Sequence, residues 1–233
     1  MSARIIVSAF AVGLMVSLSL MSAEPNKLTP EEEQAGWKLL FDGKTTKGWR
    51  GLGRKEFPEG WDVVDGCIHH KPEGGGGDIT FDGTYEDFEF SVEWKVAPKA
   101  NSGIKYRVPE TPGKQSAFGP EYQLLDDGGA KPKNATAAIY DVFPANDKKK
   151  LKPVGEFNTT RIVAKGNHVE HWLNGEKVLE YEFGSDAWKS AVANSKFKKS
   201  TTFASPKKGQ ICFQDHGGEV WYRNIKIRDL KRK

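Results

Sequence analysis

From Phe88 to Val96 the chain alternates strictly, with Phe88, Phe90, Val92, Trp94 and Val96 apolar and Glu89, Ser91, Glu93 and Lys95 polar. Side chains of a strand point alternately to opposite faces, so this pattern predicts a strand with one buried and one wet face. A lone half-buried strand is unstable, and partners follow at short intervals. Ile104, Tyr106 and Val108 alternate with Lys105 and Arg107, and Trp61 to Val64 ends at the turn pair Asp65–Gly66. Arg161 to Ala164, Val169 to Leu173 and Lys177 to Phe183 are separated by Gly166–Asn167 and by Asn174–Gly175, the last a strong hairpin signal. Gln210 to Asp215 and Val220 to Ile227 are joined through Gly217 and Gly218. Many short strands with turn residues between them predict an all-β fold, a two-sheet antiparallel sandwich or a barrel. One stretch departs from period two: Trp188, Val192 and nearby alanines recur at spacings of three and four after Ser185, predicting a short amphipathic helix over 185–197.

Residues 1–23 read as an export signal. Arg4 precedes an uncharged apolar run from Ile5 to Leu20, and Ser22 and Ala23 offer small residues for cleavage. The run is shorter than the ~20 apolar residues a span needs, so no stable membrane insertion is expected after cleavage. A periplasmic or extracellular location follows, in which Cys67 and Cys212 have the chance to pair. Residues 24–35 form a linker or short helix, with Thr29 as N-cap ahead of Pro30 and three glutamates. The remainder, 36–230, is long enough for one large domain. Its 35 Lys+Arg nearly balance 31 Asp+Glu, and the basic runs at 148–150 and 196–199 read as solvated faces, so no nucleic acid partner is expected. Gly74 to Gly77 lack the Lys-Ser/Thr and the helix of a phosphate loop and read as a flexible loop at a sheet rim.

Polar residues that alternate with core residues gather on a shared outer surface. Glu93, Lys95, Lys105 and Arg107 fall there, together with Glu121 and Gln123, whose neighbours Tyr122 and Leu124 face the core. Gln214 and His216 share a parity with Cys212. Such residues line a polar groove or form surface ion pairs, and alternation alone does not choose between the two. His216 and His171 stand near strand ends, where sites gather. The chain has no His-Glu-x-x-His and no Gly-x-Ser-x-Gly, which removes support for a zinc protease or a serine hydrolase.

Read together, the segments Gly36-Trp-Lys-Leu-Leu-Phe-Asp-Gly-Lys44, Trp61-Asp-Val-Val-Asp-Gly66, Asp87-Phe-Glu-Phe-Ser-Val-Glu-Trp94, Asn101-Ser-Gly-Ile104, Glu121-Tyr-Gln-Leu-Leu-Asp126 and Gln214-Asp-His-Gly217 resemble the 3-keto-disaccharide hydrolase domain family. The resemblance implies a concanavalin A-like jelly roll and an exported enzyme that cleaves 3-keto-glucosides or 3-keto-disaccharides. The alternative is a non-catalytic carbohydrate-binding module on the same fold. A ketone at carbon 3 acidifies the proton on carbon 2, so such an enzyme needs a base, a donor for the enolate oxygen and an acid for the leaving group. The roles expected are Glu121 or Glu93 as base and His216 as acid or metal ligand. Arg107, Gln123, Asp126 and His171 are the expected substrate ligands, with Trp49 or Tyr140 stacking on the sugar. A divalent metal ion suits the enolate step, although no ligand spacing identifies one.

Overall fold

The computed structural model describes residues 24–230, so the export signal expected over 1–23 lies outside the described residues. A five-residue helix, α1 (Pro30–Gln34), opens the described chain, and Thr29 and Glu32 form a reciprocal capping box at its start. Thirteen strands follow. They are β1 (Lys38–Leu39), β2 (Trp49–Gly51), β3 (Trp61–Val64), β4 (Cys67–His70), β5 (Ile79–Phe81), β6 (Phe88–Val96) and β7 (Asn101–Val108). Next come β8 (Glu121–Leu125), β9 (Asn158–Lys165), β10 (His168–Leu173), β11 (Glu176–Glu182), β12 (Gln210–Phe213) and β13 (Val220–Asp229). Helix α2 (Asp186–Ala193) sits between β11 and β12 and is shorter than its periodicity predicts.

The strands make two antiparallel sheets. The larger has eight strands in the order β11-β10-β9-β6-β13-β4-β3, with β1 beside the far end of β13; the smaller runs β2-β5-β12-β7-β8. Between them the expected apolar faces meet. Trp94, Phe88 and Phe90 of β6 are fully buried against Tyr106 of β7, Tyr122 of β8 and Phe213 of β12. Tyr222 stacks on Phe213 at 4.0 Å, and its hydroxyl meets Ser102 Oγ at 2.7 Å, so the polar tip of a buried ring is satisfied across the sheets. The two antiparallel sheets are those the alternation predicts, and their jelly-roll arrangement is the one the family resemblance implies.

The core also claims three residues expected in the groove. His171 shares its parity on β10 with Val169 and Leu173 and is wholly buried between the sheets, with Nε2 against the Tyr106 hydroxyl at 2.9 Å and Nδ1 against the Ala137 carbonyl at 2.9 Å. Burial pushes its pKa down to about 4. Trp49 is buried too, stacked on Phe213 with its indole N–H donating to Leu40 O at 2.7 Å, and is unavailable to a sugar. Arg107 occupies a bulge in the pairing of β7 with β12 and has φ 52°, which swings its side chain off the shared face. Its guanidinium donates to Glu86 O and Gly166 O at the far end of the sheet. Cys67 and Cys212 are both buried free thiols.

Candidate active site

The outward face of the smaller sheet is where chemistry collects. Register sets Arg50, Thr80, Cys212, Lys105 and Glu121 side by side across its five strands. At the β8 end of this row Glu121 turns over Gly103, and the space it occupies exists because residue 103 has no side chain: a Cβ there would lie 2.5 Å from Glu121 Oε1. The Gln123 amide satisfies its neighbours with its nitrogen donating to Glu121 Oε1 at 2.9 Å and to Ser102 O at 3.2 Å.

Lys105 holds the next place in the row. Its ammonium is buried, donates to Ala117 O at 3.1 Å, and stands 3.4 Å from Asp78 Oδ2 and 4.0 Å from Glu121 Oε2. Asp78 is itself buried, accepting from the N–H groups of Ala117 at 2.8 Å and Asp215 at 3.0 Å. One cation therefore faces two carboxyls in a region from which water is excluded. Burial raises the pKa of Asp78, with Lys105 opposing. Burial likewise pushes Glu121 up to about 7 against the pull of Lys105 and Lys196. A carboxyl poised there changes protonation at neutral pH, which suits a general base.

The pocket over Glu121 measures about 60 Å³ and is lined by Asn101, Gln123, Tyr140, Lys196, Gln214 and His216 besides Glu121 itself. The 132–143 segment continues the sheet beyond β8, with Tyr140 N donating to Glu121 O at 3.0 Å and Gln123 N to Ala138 O at 3.2 Å, and this pairing sets Tyr140 over the carboxyl. Burial and the Glu121 and Asp141 carboxylates raise the Tyr140 pKa. Lys196 arrives from the turn after α2. Its neighbours Ser195 and Phe197 are buried, Phe197 stacked on Phe203, while its own N–H donates to Asp141 Oδ2 at 2.6 Å and its ammonium lies 4.0 Å above the Tyr140 ring. Partial burial and Lys105 pull its pKa down against Glu121 and Asp141. Gln214 Oε1 is buried at the pocket wall without a hydrogen-bond partner among the described residues. His216 is exposed at the mouth.

Of the residues expected from sequence, Glu121, Gln123, Tyr140 and His216 thus come together. Glu93 does not: it lies on the outer face of the larger sheet, where Arg223 Nε and Asn224 Nδ2 donate to its two oxygens at 2.8 and 2.7 Å. Asp126 lies beyond the end of β8 and accepts from Lys99 N at 2.9 Å, beside a different cavity. Lys196 corrects the reading of its basic run as wholly solvated, and Asp78 carried no sequence signal. A His and two carboxylates close enough to share a metal ion occur among the described residues as His168, Glu170 and Glu180 on the β10–β11 hairpin, where the Lys177 ammonium is already 3.4 Å from Glu170 Oε1. They stand on the larger sheet, apart from the Glu121 pocket.

Residues 36–228 match the family of 3-keto-alpha-glucoside-1,2-lyase-like domains, and the chain belongs to that family. It is 34% identical to a 3-keto-disaccharide hydrolase of Bacteroides thetaiotaomicron, over 96% of this chain and 88% of that protein. A crystal structure from Parabacteroides distasonis, assigned as a glycosyl hydrolase, is 35% identical and superposes with a TM-score of 0.81 over 89% of this chain and all of that one. A second from the same organism is 29% identical, with a TM-score of 0.58 over 78% of this chain and 99% of the other. Together these relatives make the chain a glycoside-cleaving enzyme acting on carbohydrate.

Proposed function

From this family membership we propose that the chain cleaves 3-keto-glucosides at the Glu121 pocket by proton abstraction, elimination and hydration. With the sugar's carbon 2 over the carboxyl, ionised Glu121 takes the carbon-2 proton, and the electron pair moves onto the carbon-3 oxygen as an enolate. The ammonium of Lys196 and the Tyr140 hydroxyl are the donors available to that oxygen, and their positive field favours it as it forms. When the carbonyl re-forms, the pair closes a double bond between carbons 1 and 2, and the glycosidic oxygen leaves with a proton from His216 at the mouth. Water then adds across the double bond, hydroxyl to carbon 1 and proton to carbon 2. Gln123 positions the base, and Gln214 Oε1, which lacks a protein donor, suits a sugar hydroxyl.

The observation that carries this reading is a nearly buried carboxyl titrating at about 7 on the floor of a polar pocket with a lysine and a tyrosine above it. Incubating the protein with 3-keto-glucosides and their unoxidised parents in deuterated water tests it. The expected result is release of the leaving group, with deuterium at carbon 2, from the keto compounds alone. Cleavage of the unoxidised parents at equal rate, or release without carbon-2 exchange, would refute the mechanism.

A further inference from the structure

The pocket over Glu121 is far below the ~300–1,000 Å³ of sites that enclose small ligands, so a glycoside bound there must rest its other half on adjoining surface. A larger cavity, about 440 Å³, is bounded by Arg54, Glu56, Phe57, Glu59, Gly60 and Gly74–Gly76. One segment serves both places. Gly74 to Gly76 wall the cavity, while Gly77 N donates to Asp215 Oδ2 at 2.9 Å and Asp78 reaches Lys105 in the Glu121 cluster. Glu73 N donates to Gly217 O at 3.1 Å, which ties the segment to the loop bearing His216. Asp78 is two positions on from Gly76, a span of at most ~7 Å.

The walls are built to close tolerances. A Cβ on Gly74 would lie 2.5 Å from Gly60 O, and one on Gly76 2.8 Å from Pro58 Cβ, so glycine is needed for the close approach of these strands of chain. Arg54 folds back over Gly51, and its Nε and Nη2 are buried without a hydrogen-bond partner among the described residues. Leaving a buried cationic donor unpaired is costly, so a ligand oxygen that reaches this guanidinium gains more than it would at an exposed arginine. Glu56 and Glu59 supply acceptors on the same rim and offset the arginine's charge, which disfavours an anion, and Phe57 supplies an apolar face. Donors, acceptors and a ring face together match a neutral pyranose, whose hydroxyls both give and accept hydrogen bonds and whose C–H face is apolar.

We propose that this cavity binds the leaving sugar of the glycoside, Arg54 donating to its hydroxyls and Phe57 lying against its ring; the assignment rests on the reading of Glu121 given above. Two keto-glucosides that differ only in the leaving group test it, one releasing glucose and one releasing p-nitrophenol. Arg54→Gln and Phe57→Ala are expected to lower kcat/KM for the glucose-releasing substrate by roughly tenfold or more while leaving the nitrophenyl substrate within about twofold. Equal losses on both substrates, or no loss on either, overturn the proposal. Titrating glucose into the wild-type protein gives a readout free of turnover: the Arg54 Nε–H and the Gly75 and Gly76 amides should shift in a ¹H–¹⁵N spectrum. Shifts without turnover of any keto-glucoside would overturn the reading of Glu121 and leave the sugar site standing. No shift at these positions overturns the sugar site whatever the turnover.

Discussion

Replacing Glu121 by glutamine should make the protein more stable and far less active, and the gain should grow with pH. Burial raises the carboxyl from an ordinary 4.5 to about 7, so ionising it inside the folded protein costs about 3 kcal/mol more than in the unfolded chain. The stability tied to the neutral acid is present in full below pH 4.5 and is lost as pH rises through 7. An amide of the same shape does not titrate and avoids that loss. Part of the gain is offset because Lys105, 4.0 Å away, keeps only Asp78 as its counter-charge. The expected net advantage of Glu121→Gln at pH 8 over pH 5 is about 1–3 kcal/mol, or roughly 2–4 °C in Tm per kcal/mol for a chain of this size. Thermal unfolding of both proteins at the two pH values measures it. Turnover of a 3-keto-glucoside should fall by about 10²–10⁴-fold, and the wild-type rate should rise along an acid limb centred near pH 7. A Tm difference that is the same at pH 5 and pH 8 would refute the claim that folding holds this carboxyl neutral.

Other outcomes follow from the same geometry. Gly103→Ala puts a methyl where Glu121 Oε1 lies, so kcat should drop by about 10²-fold with the fold retained, as circular dichroism would confirm. Lys196→Met removes the cation above Tyr140, and kcat should fall with little change in KM, since the charge is used mainly when the enolate forms. His171, held near 4 by burial, contributes stability that is intact above pH 6.5 and lost as pH falls toward 4; in His171→Leu the acid side of the stability profile should flatten, as urea titrations from pH 7 to pH 4 would show. Cys67 and Cys212 should react with a thiol reagent only after denaturation, and then as two equivalents without prior reduction.

Much of this architecture was legible in residue order. Phe88 to Val96 and Glu121 to Leu125 alternate so cleanly that strand, buried face and the outward placement of Glu121 and Gln123 all follow from period two. His171 was legible as well, since Val169 and Leu173 flank it at the same parity, and proximity to a strand end was the weaker guide. Arg107 was not, because its parity is right and only a bulge with left-handed backbone turns it away. Glu93 has an outward parity like Glu121 but stands on the other sheet, a distinction alternation cannot make.

The sequence by itself therefore determined the class of fold and the face on which each strand residue lies, because both depend on backbone geometry repeated every two residues. Tertiary structure alone decided which outward faces share a pocket. Asp78 and Lys196 come from a loop and a post-helical turn with no periodicity to betray them; Asp78 is fixed by accepting from the N–H groups of Ala117 and Asp215, and Lys196 by donating its own N–H to Asp141. The same packing raises Glu121 to neutrality, since a pKa depends on what surrounds a carboxyl in space.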